Sequence, residues 1–374
     1  MRLLNTRTLR FESFADYGRP PFAILSHRWG KGKRDEVTFR DMRTYQQGLP
    51  VLKEAGYAKV KGFCRLARSL RYDYAWMDTC CVDQSSLSEL SELITSMFIW
   101  YTEAAICVAY LWDVGDTVNG LALEKSEWFD RVWTLQELIA PREVLFYNRH
   151  WTHIGSKTKR IAGLSRTTTI PEIVLSDAST LKNYSVAQRM SWAAHRRTER
   201  VEDIAYSLMG LFGVSIPIQY GDREKAFLKL QQAIIESSDD ESIFSWLLDD
   251  TSHPHGYSGL FAPSPRYFSG CANVEKAAGS CGFRMTNTGL SLSLETIPYC
   301  PNTYYAILNC THVGKSNQVY AIFIAKLPTK GQYARVTSSR GESRILMPRP
   351  LIAKTMGRIK RDIRIRQEPR EAPL

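Results

Sequence analysis

The sequence lacks the glycine-rich motifs that commonly hold nucleotide phosphates. No Gly-x-Gly-x-x-Gly follows the first predicted strand, and no Gly-x-x-x-x-Gly-Lys-[Ser/Thr] occurs in the 374 residues. These motifs work by wrapping backbone amides around phosphate oxygens. Their absence excludes a Rossmann dinucleotide clamp and a P-loop, so we expect no bound redox cofactor.

The sequence also lacks long apolar runs. Its start, Met1–Asn5, has no hydrophobic signal segment, and no run approaches the roughly 18 to 20 residues that a bilayer-spanning helix needs. We therefore expect no membrane span and a cytoplasmic protein. The eight cysteines include the adjacent pair Cys80 and Cys81 but no Cys-x-x-Cys, which predicts buried thiols in a reducing compartment.

Metal-ligand spacing is absent too. The cysteines of the C-terminal part are far apart compared with zinc-ribbon pairs, although His312 lies near the last of them. The four are Cys271, Cys281, Cys300 and Cys310. We therefore predict no metal site.

The composition is that of a globular chain, with 44% hydrophobic and 23% charged residues. Its length favours two domains. Lys and Arg number 49 against 38 acidic residues, a net charge of +11 that could attract phosphorylated ligands or acidic partners. The charge is too diffuse to predict nucleic-acid binding.

Short apolar runs alternate with amphipathic segments in the first 150 residues. Strands are predicted at about 22–26, 74–77, 105–111 and 143–147. Helices are predicted at about 51–70, 89–101 and 130–140, with Ser86 or Ser88 capping the second of them. This β-α-β alternation predicts an α/β fold with a doubly wound, flavodoxin-like parallel sheet and right-handed crossovers.

Polar residues follow the first two predicted strands, in the segments Ser26–Gly30 and Asp78–Gln84. Ligands of open α/β sheets bind at the carboxyl edge, where these segments are expected to meet. The simpler alternatives are that His27 is a loop histidine bonded to backbone and that Asp78 and Asp83 fix loops by accepting from backbone amides.

The third predicted helix carries an aromatic ring and a carboxylate on one face. Trp133 and Glu137 are four residues apart, so their side chains lie one above the other. This pair is typical either of packing beside a solvated charge or of one wall of a pocket.

The sequence changes character after Asn148. It is loop-like as far as Thr169 and then helical at about 186–194, at 204–211 and after Asp222, a predicted N-cap; we expect these helices to pack on the first sheet. The basic turn His195–Arg200 is either a solvated face or a contact for phosphate.

A polar break at Ser237–Ser242 precedes a second texture that begins after Trp246. Short β-prone runs follow, including the strictly alternating Leu290–Leu294. We therefore predict two regions, 1–246 and 247–374. The second is a smaller, mainly antiparallel β region ending in a solvated basic tail, Arg344–Arg370, that could bind an acidic partner.

Several of these segments together resemble one family. The blocks Phe22–Gly30, Trp76–Gln84, Arg131–Glu137, Ala187–Ala193 and Glu202–Gly210 are similar, in one order, to blocks of the HET (heterokaryon incompatibility) domain of filamentous fungi. The resemblance runs from about residue 20 to 246. It implies a role in fungal non-self recognition and programmed cell death, with an allorecognition protein as partner and self-association into a homo-oligomer on activation.

HET domains are in turn similar to TIR domains, and in NAD-cleaving TIR domains the catalytic Glu follows a Trp-Cys-x-x pattern. Trp133–Glu137 is similar to that pattern, with Thr134 in place of the Cys. The resemblance implies Glu137 as the catalytic carboxylate and NAD+ as substrate, with no resident cofactor. The residues expected to bind substrate are Ser26, His27, Arg28, Trp29, Asp78, Asp83 and Trp133.

Two function classes remain open from the sequence. One is a hydrolase of the NAD+ glycohydrolase type, in which a single carboxylate suffices because nicotinamide leaves as a neutral molecule. The other is a non-enzymatic, TIR-like signalling module that self-associates and recruits partners to cause cell death.

Overall fold

The structure, a computed structural model, describes eleven stretches of the chain. These are residues 1–15, 17–29, 35–50, 52–116, 121–248, 257–277, 282–287, 289–329, 331–338, 341–354 and 359–365. Two compact units are present: residues 1–180, 196–198 and 206–211 form the first, and residues 181–195, 199–205 and 212–374 form the second.

The first unit is built on a mixed sheet. Its described strands are β1 (Arg2–Asn5), β2 (Phe11–Ser13), β3 (Phe22–His27), β4 (Tyr74–Trp76), β5 (Ile106–Leu111), β6 (Val144–Asn148) and β7 (His153–Ser156). They lie in the order β2-β1-β4-β3-β5-β6-β7. The pairs β3–β4, β3–β5 and β5–β6 are parallel. The predicted α/β fold with a parallel, flavodoxin-like core is therefore confirmed.

Helices connect the parallel strands. Those of the first unit are α1 (Phe39–Gln46), α2 (Glu54–Ser69), α3 (Leu87–Glu103), α4 (Leu121–Glu124), α5 (Trp133–Ile139), α6 (Ile161–Thr168) and α7 (Glu172–Ser176). Local sequence explains their starts: Thr38 and Asp41 form a capping box on α1, and Ser86 caps α3 as predicted. Short 3-10 helices cover Glu127–Asp130, Thr158–Arg160 and Ala178–Asn183.

Strand β3 is the centre of this core, and all six of its residues are buried. A strand covered on both faces needs a continuous apolar run, which Phe22–Leu25 supplies. Ser26 and His27 continue the strand as buried polar residues at its carboxyl end. The parallel order reverses between β3 and β5, which makes this end the topological switch point of the sheet.

Both edges of the first sheet were missed by the sequence analysis. Strands β1 and β2 form an antiparallel hairpin that pairs with β4. At the opposite edge β7 pairs antiparallel with β6. The predicted loop from Asn148 to Thr169 was wrong, because these residues also include α6.

The second unit contains a larger, mainly antiparallel sheet. Its described strands are β8 (Val274–Lys276), β9 (Arg284–Thr286), β10 (Gly289–Cys300), β11 (Thr303–His312), β12 (Lys315–Lys326), β13 (Gln332–Val336), β14 (Arg344–Pro348) and β15 (Ile359–Ile365). The main path is β14-β12-β13-β15-β10-β11-β8, with β9 beside β10 and a further β11–β12 pairing. Only the β13–β15 pair is parallel among the described pairings. The alternation of Leu290, Leu292 and Leu294 places all three side chains in the core, as predicted.

The remaining helices are α8 (Val186–Ser191), α9 (Asp203–Tyr206), α10 (Met209–Phe212), α11 (Lys225–Ser237) and α12 (Arg349–Lys354). Asp222 is not the N-cap of α11, which begins after Glu224; its carboxylate instead bonds Lys229 at 2.5 Å. Ser185 caps α8 and donates to the carbonyl of Val274 at 2.6 Å, within the second unit.

Two predicted polar segments are structured instead. The break at Ser237–Ser242 leads into a buried 3-10 helix, Glu241–Phe244, and a further 3-10 helix covers Pro265–Phe268. Within the predicted basic tail, β14 and β15 are strands of the sheet. Alternation explains β15, since Ile363 and Ile365 face the core between exposed charged residues. Residues 366–370 of that tail lie outside the described residues.

The division into units differs from the boundary predicted at residue 246. Residues 181–195, 199–205 and 212–246 belong with the second unit rather than with the first sheet. The boundary in sequence between 1–246 and 247–374 stays a prediction. Among the described helices none is long and apolar enough to cross a membrane.

Candidate functional site

Glu137 is held by a short chain of hydrogen bonds at the carboxyl end of β3. The Ser26 hydroxyl donates to Glu137 Oε2, and Trp128 Nε1 donates to Ser26 Oγ at 2.8 Å. All three side chains are buried, and Glu137 is only 5% exposed. The structure therefore fixes this carboxyl in one orientation before any ligand arrives.

The environment of Glu137 favours its neutral form. Burial raises the pKa of this carboxyl to about 8, and the nearby Asp78 adds to the increase. The hydrogen bond from Ser26 and the positive charges of Arg131 and Arg196 act in the opposite direction. A carboxyl that titrates near neutral pH is typical of acid–base and charge-stabilising sites.

Trp29 and Asp78 are brought together as the carboxyl-edge rule predicts. Trp29 Nε1 donates to Asp78 Oδ2 at 2.8 Å, which joins the segments after β3 and β4. Burial raises the pKa of Asp78 to about 6, although the hydrogen bond from Trp29 lowers it. The carboxylate thus accepts from a side chain of the neighbouring segment, and its role in substrate binding stays a prediction.

His27 lies between two carboxylates. Its Nδ1 is 3.9 Å from Asp78 Oδ1 and its Nε2 is 3.9 Å from Glu36 Oε2. These separations are too long for hydrogen bonds, and neither ring nitrogen has a hydrogen-bond partner in the described part of the chain. The alternative of a backbone-bonded loop histidine is therefore wrong. Burial and the positive charges of Lys59 and Arg131 lower the pKa of His27 well below its usual value, so the ring is neutral.

Arg28 and Trp133 do not join the Trp128–Ser26–Glu137 chain of hydrogen bonds. The Arg28 guanidinium pairs with Glu127 and lies 5.6 Å from the ring centre of Trp112. An approaching anion would have to compete with Glu127 for it. Trp133 is the first residue of α5 and is partly exposed.

Asp83 has the loop-fixing role that was the simpler alternative. Its Oδ1 accepts from the backbone N–H of Ser85 at 3.0 Å and from the Ser85 hydroxyl at 2.6 Å. The hydrogen bond from Ser85 lowers the pKa of Asp83. Its own N–H donates to Glu89 at 2.8 Å, at the start of α3.

A cavity of about 220 Å³ opens beside this loop. Its described lining comprises Trp29, Glu36, Thr38, Phe39, Arg40, Thr79, Val82, Asp83, Gln84 and Ser85. Trp29 therefore belongs both to the cavity wall and to the Asp78 contact. Glu137 is not part of the described lining.

Arg196, from the predicted basic turn, has a structural role. Its Nη1 donates to the Arg131 carbonyl and to Thr134 Oγ1, each at 3.0 Å. Burial lowers the pKa of Arg196 to about 10. Thr134, which stands where the TIR pattern has Cys, thereby ties the start of α5 to Arg196.

Three contributors to the site were not predicted from the sequence: Trp128, Glu36 and Lys59. Lys59 pairs with Glu36, and Trp128 sets the Ser26 hydroxyl. Trp128 offered a signal, since it lies in the segment around Glu137. Glu36 and Lys59 offered none, because their approach to His27 depends on how α2 packs.

Metal binding receives no support from the geometry. Among the described residues no group of three or more His, Cys, Asp and Glu side chains could hold a metal ion. Cys271 lies instead against Ser245 and Arg344, whose Nη1 is 3.1 Å from its Sγ. Cys281 lies outside the described residues.

Comparisons with known proteins agree on one domain. Residues 22–124 match the family model described as heterokaryon incompatibility protein (HET). The vegetative incompatibility protein HET-E-1 of Podospora anserina is 40% identical over 243 residues, which cover 63% of this chain and 17% of that protein. The chain thus spans only 17% of the length of this curated relative. No solved structure matches the chain.

Proposed function

Because the chain carries a HET (heterokaryon incompatibility) domain, we propose that it is a fungal incompatibility effector that causes programmed cell death by cleaving NAD+. The products would be nicotinamide and ADP-ribose. NAD+ is the substrate here and not a redox cofactor. The proposal extends the TIR-like interpretation of Glu137.

The chemistry requires one well-placed negative charge. The bond between ribose C1′ and the nicotinamide nitrogen breaks, and its electron pair goes to that nitrogen, which becomes neutral. Positive charge develops on the ribose, water adds to C1′ and a proton leaves to solvent. A carboxylate beside the ribose stabilises this charge, and the neutral leaving group needs no general acid.

The observation that carries the proposal is the Trp128–Ser26–Glu137 chain. It provides a carboxyl that accepts from the Ser26 hydroxyl, which is itself held by Trp128, at the switch point of the sheet. Preorganisation of this kind is what makes electrostatic stabilisation effective, because no reorientation is needed during the reaction. A cationic nicotinamide nearby would also lower the pKa of Glu137 from about 8 and favour the ionised form.

The burial of Glu137 suggests how the activity is controlled. At 5% exposure its carboxyl is closed to a bulky substrate in this state. We propose that self-association, triggered by an allorecognition partner, opens the access. A resting enzyme that is inactive suits an effector whose activity kills the cell.

The same burial favours a second candidate function. If no substrate reaches Glu137, its carboxyl only supports the fold, and the domain acts as a non-enzymatic, TIR-like module. Self-association would then recruit other proteins that cause cell death. The two candidates differ in whether Glu137 must carry a charge.

The test is nicotinamide release from NAD+ by the purified chain fused to an oligomerising domain, since the resting chain is proposed to be inactive. The rates are compared with cell killing by the same variants. Glu137→Gln keeps the size and hydrogen bonding of the side chain but removes its charge. We expect both readouts to fall by about two orders of magnitude or more, the usual effect of losing one preorganised electrostatic group. Folding should be preserved, because burial raises the pKa of Glu137 to about 8 and the neutral form therefore predominates at pH 7.

Glu92→Gln is the matched control, since Glu92 is exposed on α3 and distant in sequence from the proposed site. It should release nicotinamide at the parental rate. A Glu137→Gln protein that folds normally and kills at the parental rate would reject the enzymatic proposal and support the recruiting module.

A further inference from the structure

The Thr79 side chain has an unexplained feature. It is 4% exposed, and its hydroxyl has no hydrogen-bond partner among the described residues. Thr79 also lines the 220 Å³ cavity beside the ends of β3 and β4. A buried hydroxyl without a partner costs folding free energy, so native proteins keep few of them without a reason.

Thr79 is not alone in this property. Asp78 Oδ1 and both ring nitrogens of His27 also have no hydrogen-bond partner in the described part of the chain. Asp78 precedes Thr79 and is bonded to Trp29, another residue of the cavity wall. Four such atoms, from three residues, therefore lie at the carboxyl ends of β3 and β4, and a ligand bound there would explain them. Others, such as Gln318 Oε1, lie elsewhere.

The cavity wall offers hydrogen-bonding groups that the fold holds in place. Arg40 donates to Ser85 Oγ at 2.8 Å, and Gln84 donates to the Asp78 carbonyl at 3.2 Å. The bonds from Ser85 to Asp83 use Oδ1, so Oδ2 makes none within the described chain. With Thr79 this wall supplies acceptors and donors suited to hydroxyl and carboxamide groups.

The cavity volume limits what can enter. Pockets that hold a whole drug-sized ligand are roughly 300 to 1,000 Å³, and 220 Å³ is smaller. A whole dinucleotide does not fit, whereas one aromatic ring with its ribose is the scale of group that the cavity can take.

The charges of the wall bear on which half of a dinucleotide it favours. Its charged residues are the carboxylates Glu36 and Asp83 and the guanidinium of Arg40, one negative charge in excess. Because Lys59 pairs with Glu36, the preference for a cationic ring over a phosphate is small. The Trp29 ring, whose orientation is set by Asp78, offers a face for a cationic aromatic ring.

We propose that this cavity binds the nicotinamide riboside half of the substrate and that Thr79 hydrogen-bonds to it. The proposal rests on NAD+ being the substrate, and it assigns the leaving-group end to the Trp29–Thr79 cavity. Thr79 is then a binding residue that the family resemblance did not indicate.

The experiment is calorimetric titration of the full chain with nicotinamide riboside and, separately, with adenosine. It is done in a Glu137→Gln background so that the ligand is not consumed. Thr79→Val removes the hydroxyl and keeps the shape of the side chain. We expect Thr79→Val to weaken nicotinamide riboside binding about three- to tenfold, the effect of one neutral hydrogen bond.

Thr95→Val is the matched control, because the Thr95 hydroxyl is exposed on α3 and bonds only its own helix. Its affinity should equal that of the parent. The melting temperature of the free Thr79→Val protein should not fall, since the lost hydroxyl had no partner; a drop would indicate a structural role instead and overturn the proposal.

Equal binding of nicotinamide riboside by Thr79→Val and parent would also overturn the inference, as would tighter binding of adenosine or no binding of nicotinamide riboside. These outcomes are separate from the enzymatic proposal. If the chain releases nicotinamide and Thr79→Val leaves KM unchanged, the enzymatic proposal stands and the proposed binding site is rejected. If binding depends on Thr79 but no nicotinamide is released, the binding site stands and the enzymatic proposal is rejected.

Discussion

The two units each bury ionisable groups, but they treat them differently. In the second unit Arg335 is fully buried, and its guanidinium donates to the carbonyls of Phe244, Trp246 and Ser343 while lying 3.9 Å from the Trp246 ring centre. In the first unit His27 is buried between two carboxylates without a hydrogen bond to either.

The buried guanidinium of the second unit thus donates to three carbonyls, whereas the buried imidazole of the first unit has no hydrogen-bond partner among the described residues. The Arg335 guanidinium donates hydrogen bonds to the backbone carbonyls that converge on it. The arginine therefore holds these segments against the sheet of the second unit. At the carboxyl end of β3 several buried polar atoms have no hydrogen-bond partner among the described residues. The pKa values of Asp78 and Glu137 are raised to about 6 and about 8, which places both titrations near neutral pH.

The largest effect that tests this comparison is on stability. Arg335→Met keeps most of the side-chain volume and leaves three buried carbonyls without their donor. We expect the free energy of unfolding to fall by at least about 3 kcal/mol, since each unsatisfied buried group costs roughly 1 to 3 kcal/mol. Denaturant unfolding measures the change.

Arg284→Met is the control, because Arg284 is exposed on β9. It should change the free energy of unfolding by no more than about 0.5 kcal/mol. If Arg335→Met unfolded like the parent, a buried guanidinium that donates to three carbonyls would not be structural here, and the contrast between the units would fail.

The next effect is the pH dependence of nicotinamide release. The ionised form of Glu137 is the active one, and its pKa is about 8 in the free protein. We therefore expect kcat/KM to level off above about pH 8 and to fall about tenfold per pH unit below it. Initial rates between pH 6 and 9 measure the curve.

A flat profile across that range would mean that Glu137 is not the group whose charge drives cleavage. The Glu92→Gln protein should reproduce the parental curve, because Glu92 is exposed on α3 and is not among the residues of the proposed site.

The smallest effect concerns Ser26. Its hydroxyl lowers the pKa of Glu137 by donating to Oε2. Ser26→Ala should therefore move the pH–rate limb to higher pH and reduce kcat/KM at pH 7 about tenfold, the scale of a hydrogen bond to a charged group. Ser88→Ala, a change in a serine at the surface of α3, should leave the limb in place.

A lower rate for Ser26→Ala with an unmoved limb would show that Ser26 supports packing only. Ser26 would then have no role in positioning Glu137. The result would also count against the use of shifted pKa values and missing hydrogen-bond partners to locate the site.

Much of the parallel core could be predicted from the sequence. The buried run Phe22–Leu25 and the alternation of strands with amphipathic helices are local patterns. They correctly predicted that the central strands pair in parallel. The N-terminal hairpin, β7 and the two strands within the predicted basic tail, β14 and β15, were not predicted. Short edge strands have few apolar residues. In β15 only two isoleucines are buried, and most of its other residues are charged, so the strand is difficult to recognise from the sequence.

The candidate site was predicted in part for the same reason. Polar residues directly after buried strands identified Ser26, His27, Trp29 and Asp78 as neighbours, because the carboxyl ends of parallel strands meet at one edge. Asp83 proved to be a loop residue, and its Ser85 hydrogen bonds are local in sequence. The roles of all these residues in substrate binding stay predictions.

The sequence by itself determined the α/β core, the alternating β10 strand and the placement of Glu137 on a helix beside the sheet, because each depends on patterns within about 20 residues. Only the tertiary structure decided which groups surround that carboxyl. Ser26 and Glu137 are 111 residues apart, and Trp128 and Ser26 are 102 apart. Burial and electrostatic fields depend on such distant neighbours, so a pKa near 8 and an unpartnered Thr79 hydroxyl arise only when the chain has packed.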